Sequence, residues 1–332
     1  MSKKLLLIVN PISGILPKRE IIATAHHRLE AAGYEVETRA TERAGHALEL
    51  AREAAERGYY AVVAAGGDGT VNEVASGIAG SDTVLGIMPL GSGNGLARHV
   101  ILSIDIDRAI DVIAADRPKR CDYGTANGRP FFCTFGMGFD AEVSRKFSSA
   151  GRRGLISYLQ SAFKVYLKYK SEEYEISTPE STFKVKAFLV AVCNASQYGN
   201  NAFIAPSASI HDGLLDITVI HSGDPFTRAM VGVELFTGRI NSNIIIQTIR
   251  TPRAIIRKLP GTVHIDGDVA EMPERVEVTC HPSSISIFCD PKGKKRFRPI
   301  LTPIRSLNTD IRFFIRFLFK RILRRKKTEN IK

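Results

Sequence analysis

The stretch Gly66-Gly67-Asp68-Gly69-Thr70 follows a short apolar run, Ala61–Ala65, and leads into another, Val71–Ile78. Glycines at a strand end let the backbone turn tightly and approach a ligand, so that N–H groups face phosphate oxygens. A helix starting at the same place adds the positive end of its dipole. Asp68 supplies one carboxylate, able to bind Mg2+ or accept a proton. Taken alone, the five residues also describe a strand-to-helix turn with an N-capping aspartate. Two more stretches of this kind shift the balance: Asn10-Pro11-Ile12-Ser13-Gly14 after Leu5–Val9, and Gly91-Ser92-Gly93-Asn94-Gly95 after Val84–Met88. Three such turns at the ends of parallel strands make one phosphate-binding rim. None matches the P-loop pattern GxxxxGKS/T, and no GxGxxG opens the first helix, which excludes P-loop and Rossmann readings.

The elements that must hold these turns are legible around them. Leu5–Asn10, Glu35–Thr41, Ala61–Ala65 and Val84–Met88 read as strands, with helices over Arg19–Ala32, His46–Arg57 and Val71–Ile78 between them. Strands alternating with helices predict an α/β domain with a doubly wound parallel sheet, whose ligands sit beyond the carboxyl ends of the strands. From about residue 123 the texture changes. Phe183–Asn194, Gly213–His221, Thr262–Asp266, Arg275–Cys280 and Ser284–Cys289 are short β-branched runs separated by turn residues, predicting a mainly antiparallel β-sandwich. Helices are expected over Leu155–Lys170 and Pro225–Thr237, the latter with Asp224 as N-cap and Pro225 at N1. The expected organisation is therefore 1–122, a nucleotide-binding α/β domain; 123–300, a β-rich substrate domain whose last part returns to the first; and 301–332, a basic tail.

Asn10-Pro-x-Ser-Gly14, Thr41-Glu-Arg-Ala-Gly-His-Ala47, Gly66-Gly-Asp-Gly-Thr-Val-Asn-Glu-Val74 and Pro89-Leu-Gly-Ser-Gly-Asn-Gly-Leu-Ala-Arg98 resemble, in order, the successive motifs of the diacylglycerol kinase catalytic domain family, which includes bacterial lipid kinases and sphingosine kinases. The resemblance continues through Gly136-Met-Gly-Phe-Asp-Ala141, Asp212-Gly-Leu-Leu-Asp216 and Asp266-Gly267. It implies a fold shared with NAD kinases and an ATP- and Mg2+-dependent phosphotransfer to a lipid hydroxyl. By the same resemblance Asn10, Ser13, Thr41, Gly67, Gly69, Thr70, Gly91 and Ser92 line the nucleotide site, with Asn72 and Glu73 supporting it. Asp68 acts in the Mg2+–phosphate network, Asp212 and Asp216 form a metal-linked acidic cluster, and Asp266 is the general base. Phosphoryl transfer is mainly positioning and charge neutralisation, with a base to orient the nucleophile, and this set supplies both. Two positions depart from the family pattern: Gly95 stands where many members have an aspartate, and Asp268 where a glutamate is usual. Glu142 matches an acidic residue that contacts amino-alcohol head groups in sphingosine kinases; as a residue on its own it equally describes a solvated helix charge. His46 reads as a nucleotide contact or as a helix-start residue, and His211 as structural.

Composition narrows the class further. Cys121, Cys133, Cys193, Cys280 and Cys289 are scattered without a CxxC pair or His cluster, arguing for buried thiols in a reducing compartment rather than disulfides or zinc. The apolar run after Met1 is too short for a secretion signal, and no stretch reaches the length of a membrane-spanning helix. The net charge of +12 is concentrated: residues 292–332 hold 15 Lys/Arg and two acids, leaving the body near neutral. That concentration argues against a nucleic-acid partner, whose binding face would spread its basic residues over the fold. Within the tail Arg312, Arg316, Lys320 and Arg324 recur every fourth residue, while Ile311, Phe314, Ile315, Leu318, Phe319 and Ile322 fill the other side. Such a helix suits an anionic membrane surface, with about 1 kcal/mol per engaged basic residue. Segment 143–171 carries seven Lys/Arg and no acid, with Ile156, Leu159, Phe163 and Leu167 at helical spacing. It reads as a lipid gate or as a helix packed on the β domain. The expectation is a cytoplasmic enzyme held at the inner membrane face; an NAD kinase-like enzyme and an inactive nucleotide-binding membrane scaffold are the alternatives. Deleting residues 305–332 should move the protein from membranes to the soluble fraction while sparing activity on a short-chain substrate, and a truncated chain that still sediments with anionic vesicles would remove the tail as main anchor.

Overall fold

The computed structural model describes residues 3–14, 18–101, 103–149, 155–166, 168–290, 299–305, 307–308 and 310–311. The first lobe runs β1 (Lys3–Val9), α1 (Lys18–Ala31), β2 (Tyr34–Ala40), α2 (His46–Glu56), β3 (Ala61–Gly66), α3 (Asp68–Ile78), β4 (Val84–Pro89), α4 (Gly95–Val100) and α5 (Ile106–Ala114). Its strands lie in the order β4-β3-β1-β2, all parallel. β3 and β4 are buried along their whole length, which is why Ala61–Ala65 and Val84–Met88 read as unbroken apolar runs rather than alternating ones. α2 packs on α3 and α1 on α5, giving the helical layers of a doubly wound sheet. Arg28 of α1 joins α5 through Asp107 at 3.0 Å and Asp111 at 2.5 Å.

One boundary differs from the sequence expectation in a way that matters for chemistry. Gly67 is extended, and the helix begins at Asp68 rather than at Val71. Asp68, Gly69 and Thr70 are thus the first turn of α3, where a carboxylate complements the free N–H groups and the helix dipole.

The second lobe comprises β5 (Pro118–Ala126), β6 (Arg129–Phe131), β7 (Thr134–Gly138), α6 (Phe139–Ser149), α7 (Leu155–Tyr166), β8 (Glu172–Ser177), β9 (Thr182–Cys193), β10 (Leu215–His221), α8 (Pro225–Thr237), β11 (Ile246–Thr251), β12 (Arg253–Arg257), β13 (Gly261–Ile265), β14 (Asp268–Met272) and β15 (Arg275–Phe288). Its strand pairings are antiparallel and enclose their own core, with Phe131, Phe135, Met137, Tyr174 and Ile256 inside. α8 starts as its residues dictate: the Asp224 carboxylate accepts the backbone N–H groups of Phe226 and Thr227, and Pro225 occupies the first turn.

Arg275–Cys280 and Ser284–Cys289, expected as two strands, form the single strand β15, with an irregularity between His281 and Ile285 where Ser283 takes a φ of 49°. The irregularity redirects the strand. Its first half pairs with β12, while Ser286 and Ile287 pair in parallel with Val84 and Leu85 of β4. β5 leaves the first lobe and β15 returns to it, so the two sheets are joined edge to edge along this pair of strands.

The basic helix read over 312–324 lies outside the described residues. The segment leading to it is fixed to the body at two points: Ile300 donates its N–H to the Thr237 carbonyl at 2.7 Å, and the Asp310 carboxylate accepts from Arg98 at 2.7 Å and Asn201 at 3.2 Å. Arg98 is 5% exposed and Asp310 8%. Removing one partner of a buried ion pair leaves the other charged and unsatisfied, at a cost of about 3 kcal/mol. Asp310→Ala should therefore lower the thermal midpoint of the full chain clearly in calorimetry, whereas substituting the surface pair partner Arg275 should leave it nearly unchanged.

Candidate active site

The carboxyl ends of β1, β3 and β4 bring the three glycine-rich turns together backbone against backbone. A Cβ built on Gly14 would stand 1.9 Å from the Leu90 carbonyl oxygen, and one on Gly91 would stand 2.4 Å from the Gly67 Cα. Only glycine lets chains pass this closely, so the turns form one continuous surface of main-chain groups. Side chains then lock it. The Asn10 amide donates to Thr70 Oγ1 at 3.0 Å, and its oxygen accepts the Ile12 N–H at 3.1 Å. Ser13 donates to the Asn10 carbonyl at 3.1 Å, and Thr41 joins the rim by donating its N–H to the Val9 carbonyl at 2.9 Å. Asn94, at a φ of 55°, accepts from the Gly91 N–H at 3.0 Å and returns a hydrogen bond to the Gly91 carbonyl at 2.9 Å. Ser92 is exposed on the rim.

Asp68 joins two of these turns. One carboxylate oxygen accepts the Asn94 N–H at 2.8 Å and the other the Gly95 N–H at 2.7 Å, so the first turn of α3 caps α4. Burial raises the carboxyl to about 6, the two backbone N–H groups oppose that rise, and the nearby Asp266 charge adds to it. Asp68 is thus ionised at neutral pH and takes up a proton as pH falls through about 6.

Asp266 reaches the same cleft from the turn between β13 and β14, in a left-handed conformation with φ 49°. Its oxygens accept the N–H groups of Phe132 at 2.9 Å, Cys133 at 2.8 Å and Thr134 at 2.9 Å, and the Asn72 amide at 2.8 Å. Burial pushes this carboxyl up, while these four donors pull it back. Asn72, on α3 of the first lobe, also donates to the Pro130 carbonyl at 3.2 Å and so ties the lobes together. Glu73 faces the other way and accepts the N–H groups of Gly45 at 2.9 Å and Ala47 at 3.1 Å, holding the start of α2. His46 accepts the Glu42 N–H at 3.1 Å, a local turn contact.

Asp212 and Asp216 are brought together, but with Arg250 rather than with Asp68. Asp212 is ion-paired to Arg250, and Asp216 lies 3.6 Å from Arg250 Nε. Both Asp216 carboxylate oxygens are buried and accept no hydrogen bond, and burial raises this carboxyl to about 6. Glu142 is paired with Arg145 one turn along α6, at 2.7 Å. His211 Nδ1 lies 3.0 Å from the Arg120 carbonyl oxygen.

Some groups in the site had only faint signals in the chain. The Asp268 carboxylate lies over Gly69, close enough that a Cβ there would stand 3.0 Å from it, and burial with the Asp266 and Glu73 charges raises its carboxyl. Its position after the Asp266-Gly267 turn was the one available hint. Buried Asp140 accepts from the Tyr198 hydroxyl at 2.7 Å and lies 3.1 Å from His264 Nε2. Asp122 holds the backbone N–H groups of Gly213 and Ser283, each at 2.7 Å. Tyr198, His264 and Asp122 belong to no motif, so their spacing carried no signal.

A two-lobed fold with a rim of closely packed glycine turns and carboxylates reaching the cleft from both lobes is the architecture of a phosphotransferase. Residues 4–126 match the family profile described as the diacylglycerol kinase catalytic domain, and residues 134–289 match the YegS C-terminal NAD kinase beta sandwich-like domain. The chain belongs to the diacylglycerol kinase family of lipid kinases. It is 31% identical over 252 residues to a diacylglycerol kinase of Bacillus subtilis, covering 74% of this chain and 83% of that one. It is also 31% identical over 228 residues to a diacylglycerol kinase of Staphylococcus epidermidis, covering 68% of this chain and 72% of that one. A crystal structure of a diacylglycerol kinase from Bacillus anthracis superposes with a TM-score of 0.70 at 22% identity, covering 88% and 98% of the two chains, which establishes the common fold.

The glycine at 95 has a structural reason here. A Cβ at that position would stand 2.9 Å from the buried Cys133 Sγ and 3.1 Å from the Tyr198 carbonyl oxygen. Gly95→Asp should therefore lower the melting temperature without strengthening Mg2+ binding in a calorimetric titration; tighter Mg2+ binding in a stable variant would contradict this packing account.

Proposed function

We propose that this kinase transfers the γ-phosphate of ATP, with Mg2+, to the hydroxyl of a lipid of the diacylglycerol or sphingoid-base type at a membrane surface. The observation that carries the reading is the meeting of Asp68, which binds two phosphate-rim turns together, with the Asp266–Asp268 turn of the other lobe. Phosphates in the rim would meet the main-chain surface of Gly67, Gly69, Gly91 and Ser92 beside Asn10, Ser13, Thr41 and Thr70. The acceptor hydroxyl would enter from the second lobe.

The residues present fit a divalent cation. Each Asp68 oxygen accepts one backbone N–H and keeps a lone pair, and its repulsion by Asp266 is relieved by positive charge. Asp216, whose two buried oxygens accept no hydrogen bond and face Arg250 at 3.6 Å beside Asp212, is a second place where positive charge would be favourable. Mg2+, when bound, supplies charge neutralisation at the transferring phosphoryl group. This chain's own residues orient the two reactants and take the acceptor's proton as the oxygen–phosphorus bond forms and ADP leaves.

Asp268 is the favoured base over Asp266. A carboxylate offers about four acceptor sites, and those of Asp266 are taken by Phe132, Cys133, Thr134 and Asn72. Asp268 is exposed in the cleft with its carboxylate over Gly69, within reach of an incoming hydroxyl. Asp266 then acts as the positioning group that aims this turn.

The membrane-facing side is supported by exposed apolar groups. Phe226, Met230 and Val233 recur on one face of α8 and are 76%, 39% and 54% exposed, with Phe163 of α7 at 64%. The Tyr166 hydroxyl on α7 donates to the Pro225 carbonyl at the start of α8, so the two helices stand together. Among the described residues no helix is long and apolar enough to cross a membrane. An interfacial footing of aromatic groups with a basic tail matches an anionic bilayer. Because Asp310 is tied to Arg98, a truncation after Ile311 tests the tail charge without breaking that pair.

Labelled ATP and Mg2+ offered with separate mixed micelles of diacylglycerol, sphinganine, ceramide and monoacylglycerol, and with NAD as soluble control, test the reading. Label in one lipid is expected; label only in NAD, or ATP binding with no transfer anywhere, would replace it with the NAD kinase or scaffold alternative. In the same assay Asp268→Asn should lower kcat by roughly 100-fold or more with ATP binding kept, within the usual reach of base catalysis. Asp266→Asn should disturb turnover together with folding stability. An Asp268→Asn enzyme with full turnover would return the base to Asp266.

A further inference from the structure

We infer that Cys121, His211 and Cys289 form a binding site for a soft divalent cation of the zinc class, placed at the junction of the two lobes. The ligand atoms of the three residues all lie within 4.8 Å of one another, and among the described residues this is the group of metal-binding side chains that converges in this way. It stands apart from Asp68 and the Asp266–Asp268 turn and is independent of the substrate reading above.

The chemistry of the donor set favours zinc over magnesium. Two thiolates and an imidazole are soft or borderline donors, whereas Mg2+ takes oxygen ligands. A tetrahedral zinc centre with Zn–S near about 2.3 Å and Zn–N near about 2.0 Å sets its ligand atoms about 3.5–3.8 Å apart. Drawing the three atoms in from 4.8 Å or less is a movement that side-chain rotation supplies. Cys121 and Cys289 are buried, and the Cys121 thiol donates to the Lys119 carbonyl at 3.5 Å. His211 stands exposed above them and leaves the outer side open for water as a fourth ligand. A carbonyl can only accept, so His211 Nδ1, 3.0 Å from the Arg120 carbonyl oxygen, carries the proton. Nε2 then holds the lone pair that a metal takes, in the arrangement by which metal-binding histidines are usually oriented. Binding balances as two thiols each releasing one proton to solvent while two zinc–sulfur bonds and one zinc–nitrogen bond form. The resulting centre, a dication with two thiolates and a neutral imidazole, has no net charge and suits the buried side of the junction.

The placement gives such a centre a use. Cys121 lies on β5, the strand that leaves the first lobe, and Cys289 directly follows β15, the strand that returns to it. His211 comes from the loop that precedes β10 of the second lobe. That loop is already held here, since Asp122 donates its N–H to the Ile210 carbonyl at 2.7 Å and accepts the Gly213 N–H at 2.7 Å. One ion would thus bind three separate passes of the chain at the crossing between lobes. Spacing along the chain hides the set, because no two of the three are near in sequence.

The full chain, purified under reducing conditions, incubated with Zn2+ and desalted, is assayed for metal by mass spectrometry and then for Co2+ in its place by absorption. About one zinc per chain is expected, with a thiolate-to-cobalt charge-transfer band, and a melting temperature that falls on chelation. His211→Ala, at an exposed position that leaves the core intact, should weaken Co2+ binding by roughly tenfold or more, and Cys289→Ser should remove most of the charge-transfer band. Cys280→Ser should change neither. Zinc well below stoichiometry in the reduced chain, or a Cys121–Cys289 disulfide formed in place of metal uptake, overturns the inference. So does a cobalt spectrum unchanged in His211→Ala and Cys289→Ser.

Discussion

The carboxylate of Asp266 is buried between the lobes and can be there only because four donors meet it. Three are the successive N–H groups of Phe132, Cys133 and Thr134, at the entry to β7, and the fourth is Asn72 from α3. A buried charge without such partners would cost several kcal/mol, so this set fixes the β13–β14 turn against β7 and both against the first lobe. The left-handed backbone of Asp266, at φ 49°, is held in place by the same bonds. Much of the cleft follows from this one constraint: the height of Asp268 over Gly69, the reach of Asn72, and the charge that adds to the burial-driven rise of the Asp68 carboxyl.

The first lobe answers with main chain rather than side chains. Its rim is made where glycine backbones touch, and Asp68 and Asn94 hold those backbones in register through the N–H groups of Asn94, Gly95 and Gly91. In the proposed reading such a rim would meet phosphate through oriented N–H groups rather than cations, which accords with a body near neutral charge. Arg98 extends the same order outward. It donates to the Gly93 carbonyl at 3.1 Å and to Asp310, so the start of the basic tail and the third rim turn share one guanidinium.

The lobes are joined by strands as well as by the cleft. β5 and β15 run side by side between them, and the irregularity at His281–Ile285 turns β15 from the second sheet onto β4. Asp122, at this crossing, satisfies two loop N–H groups from opposite sides, and Cys121, His211 and Cys289 gather next to it. The junction is therefore a dense polar and thiol cluster inside an otherwise apolar packing.

What the sequence alone determined was whatever is local and repetitive. The buried parallel strands show as unbroken apolar runs, the turns as glycine clusters, and α8 as Asp224-Pro225 before an apolar stripe, because each depends on neighbours a few residues away. The motifs named the rim residues Asn10, Ser13, Thr70 and Gly91 and both aspartates of the cleft for the same reason. Tertiary structure decided which polar atoms meet over long separations. It filled the acceptor sites of Asp266 and left Asp268 open, paired Asp212 and Asp216 with Arg250 instead of Asp68, and set Cys133 where a side chain at 95 would go. It merged two expected strands into β15, since a strand that changes sheets reads locally as two. No local rule reaches such contacts: a hydrogen bond or a metal ligand set is fixed by distance in space, and the chain brings those residues together only once both lobes have closed on each other.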